Sequence, residues 1–345
     1  MKRFLSLLLF GLLYLEALAP QATGKPICPR VNARHEVSPK PMANQNYSGC
    51  DLAGAYLRGM NLTGANFSRA NLSGAQFQLS DLTNANFSGA DLTQTKGLSK
   101  LAGANMAGAN MEKAIYSAPD LTNAKLTHVR AFHAYFGDAS ATGADLSNSD
   151  LSGANFYDSN FAGAKFLKSN LQKSNALNVN LNGANLTGAN LESANLAGGK
   201  LIGTTIVDAN FAHANLHPIS SGGLVGTPKA IPKGTTLIKG CFLGSNSSCQ
   251  NIDLSGVDFR GIDVSNSSFE HSNLSDTKFT GMKLTGMRFD YANLTGADFT
   301  GASLSQNGFY GAILNSADFT GASVHQGDLS GANRTGAIGL LKWWY

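Results

Sequence analysis

Large apolar residues return at every fifth position along most of this chain. From Leu52 they fall at Leu57, Leu62, Phe67, Leu72, Phe77, Leu82, Phe87 and Leu92. A small residue stands two places before most of them, as at Ala55, Ala65, Ala70, Ala75, Ala85 and Ala90. The phase slips by one residue around Thr95-Lys96-Gly97-Leu98, resumes at Leu101 and holds to Leu216, weakened only at Ala131, Ala141 and Ala176. A last run extends from Leu254 to Leu329. Self-similarity at a fixed period marks a repeat architecture.

A period of five suits neither regular element. In an α-helix at 100° per residue, each step of five rotates the apolar group by 140° and smears it around the axis. In a straight strand an odd step sends successive Leu residues to opposite faces. Every central Leu or Phe stays buried only if the chain turns once per repeat. Ser or Thr followed by Gly, as in Leu62-Thr63-Gly64 and Leu151-Ser152-Gly153, supplies a corner with turn-prone chemistry. The expectation is a coiling solenoid, all-β, with stacked side chains inside. In the last run aliphatic and aromatic centres alternate, and four sides per coil would stack like on like. Phe259, Phe279, Phe299 and Phe319 would form one column, and Leu254, Leu274, Leu294 and Leu314 another.

These residues resemble the pentapeptide repeat family, whose pattern is Ala-(Asp/Asn)-Leu-x-x. Ala65-Asn66-Phe67-Ser68, Ala184-Asn185-Leu186-Thr187-Gly188 and Ala297-Asp298-Phe299-Thr300-Gly301 carry the resemblance. It implies a right-handed quadrilateral β-helix. It also implies, for some members, a DNA-like rod that binds type II topoisomerases.

The amino terminus reads as an export signal: Lys2 and Arg3, an apolar stretch from Phe4 to Leu15, then Ala17, Ala19, Ala22 and Gly24. That stretch is short of the roughly 20 residues of a permanent span. An uncleaved anchor is the alternative. The expected location is periplasmic, lumenal or extracellular, with no integral span once the signal is removed. Four cysteines, Cys28, Cys50, Cys241 and Cys249, form an even set that suits an oxidising compartment. Three pairings are open, and proximity favours Cys28 with Cys50 and Cys241 with Cys249. Metal binding is their rival reading, without Cys-x-x-Cys or clustered His to support it.

The chain therefore divides into a signal peptide at 1–24, a cap segment at 25–49, a repeat β-helix at 50–216 with its slip near 93–100, an insert or linker at 217–250, a second repeat β-helix at 251–334 and a tail or cap at 335–345. The insert abandons the phase, carries Pro218, Pro228 and Pro232, and reads as an irregular coil or side hairpin, with a small-ligand or enzymatic site as the alternative. In the tail, Trp343, Trp344 and Tyr345 suit a folded-back cap or a contact with a partner or a second copy.

Composition adds mainly exclusions. In 345 residues, 26 Lys and Arg face 22 Asp and Glu, a net charge of +4 that recommends no nucleic-acid partner. Residues 51–100 carry four basic and three acidic side chains, 101–216 seven and eight, and 251–345 six and nine. A DNA mimic needs a far more negative surface, and the export signal also speaks against a topoisomerase partner. Asp and Asn recur just before the central Leu, where short polar side chains bond turn backbone. They are architecture before they are acids, and no paired carboxylates stand out for hydrolysis. His128 with His133 and His213 with His217 are the close histidine pairs, and His128 and His133, five apart, fall on neighbouring sides of a coil, a poor metal clamp. No cofactor is called for. The reading is a non-enzymatic exported scaffold or interaction module whose partner is a protein or envelope component.

Overall fold

The computed structural model describes residues 24–340. The expected signal segment, apart from Gly24, and the Trp343-Trp344-Tyr345 tail lie outside the described residues. Each five-residue unit forms one side of a four-sided coil. At Leu62 the chain turns: the Ala65 N–H donates back to the Leu62 carbonyl at 3.0 Å, and Gly64 between them has a φ of 64°. A third turn residue with positive φ is the type II arrangement, which favours Gly because it has no Cβ to clash. The next coil lies twenty residues on, and Asn66, Asn86 and Asn105 hydrogen-bond amide to amide down one face. The large central side chains and the small residues two places earlier point inward together: Leu62, Ala65, Phe67, Leu72 and Ala75 are all buried. Each buried Leu or Phe contributes about 1.5–3 kcal/mol before chain entropy is set against it.

The aromatic columns follow. Phe259, Phe279, Phe299 and Phe319 stack with centroids 4.7–4.9 Å apart and planes within 14° of parallel. Tyr47, Phe67 and Phe87 stack in the same way near the other end. The coil weakened by Ala131 and Ala141 keeps its register. Its Phe136 is sandwiched between Tyr116 and Phe156, at 4.7 and 5.4 Å.

Among the described residues twelve short strands punctuate the coils. β1 (Arg30–Val31) and β2 (Val37–Ser38) form an antiparallel hairpin over the first coil. β3 (Lys96–Lys100) and β4 (Ile115–Asp120) pair in parallel with shifted register at the one-residue slip, where one side is too short for its corner. β5 (Gly199–Ile202), β6 (Ile219–Gly222) and β9 (Ser247–Ser248) make a parallel sheet, while β7 (Thr236–Ile238) and β8 (Cys241–Leu243) form an antiparallel hairpin between them. β10 (Lys283–Thr285), β11 (Ser303–Ser305) and β12 (Ser323–His325) stack near the carboxyl end.

Residues 217–250 therefore carry the ladder across. Ser220 pairs with Lys200 on one side and with Ser248 on the other, and the extra chain between Ser220 and Ser248 folds as the hairpin. The result is one unbroken ladder from Asn61 to Asp328. At ~4.8 Å per rung its length is about 60 Å. In the crossing coil the central positions hold Ser221 and Gly226, too small to fill the interior. β8 fills it instead. Phe242 packs into the core on the amino-terminal side, while Cys241 and Leu243 pack into the core on the carboxyl-terminal side. Alternate strand residues point to opposite faces, so β8 is a floor shared by two core stacks. Sequence patterning placed no core residue here because eight added residues break the phase.

Candidate interaction site at the amino-terminal cap

The cap is fastened to the shaft by a Cys28–Cys50 disulfide. Val37 and Tyr47 close the first core from above, both buried. The Tyr56 N–H donates to the His35 carbonyl at 2.8 Å, so the hairpin turn supplies the rung that a preceding coil would have given. The His35 and Tyr56 rings lie 5.2 Å apart. The Asn66 N–H likewise donates to the Gln45 carbonyl at 2.9 Å. Between these covered sides one position is open. One coil further on, the Asp81 N–H donates to Met60 O at 2.9 Å, yet among the described residues no carbonyl accepts the Asn61 N–H.

Beside that missing rung lies an open cleft of about 710 Å³ between the hairpin and the corner at Arg58–Met60, a size within the range of ligand-binding clefts. Arg30 and Lys40 line it from the cap, Arg58 from the corner, and Val31, Val37 and Met60 give it apolar walls. Tyr56 is 42% exposed within it. Its one carboxylate, Glu36, accepts a hydrogen bond from Asn32 Nδ2 at 2.8 Å. Among the described residues none of the three cations forms an ion pair. One rung below, Asp81 is already engaged: hydrogen bonds from Thr83 are the main reason its carboxyl titrates below the usual range, with Lys100 adding to the effect.

Charge is concentrated at this end. Residues 25–60 hold Lys25, Arg30, Arg34, Lys40 and Arg58 against Glu36 and Asp51, whereas residues 61–345 carry nineteen cationic and nineteen anionic side chains. Sequence reading by larger blocks averaged this excess away. Counting charge over the cap segment and first coil together would have found it.

Cys241 and Cys249 are bonded to each other and fully buried, joining β8 to the core position that begins the next side. The Cys241 sulfur lies 3.2 Å from Ser221 Oγ. In the same insert, His217 Nε2 meets Thr235 Oγ1 at 3.0 Å, and burial lowers the pKa of its imidazole. Of the basic residues there, Lys239 Nζ donates to the Ser255 carbonyl at 2.7 Å, holding the hairpin to the following coil. The aromatic-rich stretch around His133 keeps the repeat register and leaves Phe132 and Tyr135 outward, 40% and 37% exposed. His133 Nδ1 meets the Gly153 carbonyl at 3.2 Å. The recurrent Asp and Asn carboxyl and amide oxygens accept the N–H two residues on, as in Asn61 with Thr63 and Asp91 with Thr93.

Comparison with known proteins agrees with this geometry. The family description "Pentapeptide repeats" matches within residues 46–96, 120–166 and 167–217, and "Pentapeptide repeat region" matches 250–329. No curated protein matches the chain. Among solved structures, the chain is similar to a trypsin-treated form of QnrB1, a plasmid-mediated fluoroquinolone resistance protein, at 22% identity over 64% of this chain and 91% of that one, TM-score 0.43. It is similar to HetL of the cyanobacterium Nostoc, involved in heterocyst differentiation regulation, at 19% identity over 87% and 92%, TM-score 0.24. A pentapeptide repeat protein from the thylakoid lumen of Arabidopsis thaliana matches at 27% identity over 40% and 68%, TM-score 0.14. With repeat matches along most of its length, the chain belongs to the pentapeptide repeat family.

Proposed function

We propose that this protein is an exported, non-enzymatic scaffold that binds a partner protein through fixed positions on a rigid shaft. The observation that carries the reading is the ladder that runs unbroken from Asn61 to Asp328, through the insert as well as the repeats. A rod assembled this way holds outward side chains at set spacings, which suits recognition better than it suits a closing active site. The recurrent Asp and Asn oxygens are occupied by turn N–H groups, which supports a structural role for them over acid–base work. Export is supported by two disulfides and by the lysine-flanked apolar amino terminus.

The test is photo-crosslinking of the full-length protein in its native host, from outward positions on each side of the shaft, with cell fractionation and mass spectrometry. The reading expects one protein crosslinked reproducibly in an exported fraction, and a mature chain lacking the apolar leader. Recovery of the protein in the cytosol with its leader intact, or crosslinks to no protein from any face, would contradict it.

A further inference from the structure

The amino-terminal cleft has three features that define what fits it. Arg30, Lys40 and Arg58 converge on one opening with no ion pair among the described residues. Unpaired cations around a cleft favour an anion, and guanidinium groups favour carboxylates because they can bind both oxygens at once. Met60 and the exposed Tyr56 ring offer apolar surface beside those charges. The Asn61 N–H adds an unoccupied donor where the next rung of the ladder would begin. That last feature favours backbone over a small anion, because an extended peptide presents carbonyls at strand spacing.

We propose that the cleft is a docking site for an acidic peptide segment of the partner protein, bound extended so that it continues the ladder at Asn61. Alternate side chains of an extended strand point to opposite faces. One face of the segment therefore places carboxylates against Arg30, Lys40 and Arg58, while a peptide carbonyl accepts the Asn61 N–H and an apolar side chain rests on Met60. This rests on the interaction-scaffold reading above and names the chemistry of the partner.

The test uses full-length mature protein and a fluorescein-labelled hexapeptide of alternating Glu and Val, with the Lys–Val hexapeptide as its charge-reversed counterpart. Anisotropy titration is expected to show at least tenfold tighter binding of the Glu–Val peptide, weakening as salt is raised. The double substitution R30E/R58E is expected to reduce that binding tenfold or more. R69E, an exposed charge reversal on the shaft, is expected to leave it within twofold. Thermal melts of all three proteins keep folding defects apart from binding defects. Equal binding of the two peptides, or undiminished binding by a folded R30E/R58E protein, would overturn the proposal. So would binding to phosphatidylglycerol vesicles without binding to the peptide. The two readings separate in crosslinking: a partner captured equally by wild type and R30E/R58E removes the cleft and keeps the scaffold, whereas no partner for either protein removes both.

Discussion

Val129 and Ser149 are a matched pair one coil apart: the Val129 N–H donates to Ser149 Oγ at 3.1 Å, and that hydroxyl donates to the Leu126 carbonyl at 2.7 Å. In an ordinary corner the N–H would bond the carbonyl directly, as Ala65 does with Leu62. At this corner the bulky Val129 stands in the small inward position with the turn open, and a hydroxyl from the next coil bridges the opening, whereas Val257 and Ile262 keep the direct bond. The same exchange occurs where Met60 meets Ser80 and where Ile252 meets Ser272. Asn307 does it with its side-chain amide for Met287.

Ser149→Ala should therefore leave a buried N–H and a buried carbonyl without a bridge, costing about 1–3 kcal/mol. Val129→Ala together with Ser149→Ala allows the corner to close, and the loss should shrink below that of Ser149→Ala alone. Urea denaturation of both single variants and the double variant gives the coupling energy. Additive losses would show that the bridge does not depend on the bulky residue.

Phe242 meets Phe211 edge-on, centroids 5.4 Å apart and planes at 71°. Phe242→Ala should destabilise by about 3–5 kcal/mol, the usual cost of emptying a buried aromatic site. Because β8 is the floor between two core stacks, the variant should also unfold less cooperatively, with the halves on either side of the insert melting apart. Differential scanning calorimetry reads both effects. A side hairpin without a core role would give a small change and one transition.

Tyr116 is buried in its aromatic column, and its hydroxyl has no hydrogen-bond partner among the described residues. Burial pushes its phenol pKa upward. Removing an unsatisfied hydroxyl relieves a desolvation cost, so Tyr116→Phe should stabilise by about 1 kcal/mol. Phe136→Tyr, which adds a hydroxyl to the same column, should destabilise. A lower melting temperature for Tyr116→Phe would point to a water or partner bound to that oxygen.

Acid should loosen the corners. Asp258 is held down to about 2 by hydrogen bonds from the Arg260 side chain and backbone. Ser255 and Ser330 lower Asp253 and Asp328 in the same way. A depressed carboxyl pKa gives stability that is present above the unfolded value of about 3.9 and lost as pH falls through the folded value. Urea midpoints should ease downward once pH falls below about 6.5, where the unfolded chain protonates His217 before the folded one does, and decline more steeply between about 4 and 2. Carboxyl NMR should place Asp258 near the bottom of that window and move it upward in Arg260→Ala. An unshifted Asp258 midpoint in that variant would contradict the assigned cause.

Much of this was legible in the residues themselves. The five-residue period in Leu52, Leu57 and Leu62 forces a turn per repeat, and the spacing of Phe259, Phe279 and Phe299 gives four sides. β8 was not legible, because Phe242 sits out of phase and becomes core only when Ser221 and Gly226 leave space for it. The Val129–Ser149 exchange pairs a large residue with a hydroxyl twenty places later, but Val257 and Thr277 share that spacing and keep the direct corner bond, so the spacing by itself does not announce it. The cleft escaped because Arg30, Lys40 and Arg58 are brought together by the hairpin, and no periodic pattern relates them.

One continuous ladder crosses residues 217–250 and makes the molecule a single shaft. Spin labels introduced by non-cysteine chemistry at Asn180 and Arg288 sit on the same ladder, on opposite sides of the insert. Five rungs at ~4.8 Å put their backbones about 24 Å apart. Pulsed dipolar spectroscopy should give a single narrow distance distribution at that separation, allowing for label length. A broad distribution, or one displaced well beyond it, would mean that residues 217–250 join two separate bodies and that the ladder breaks there.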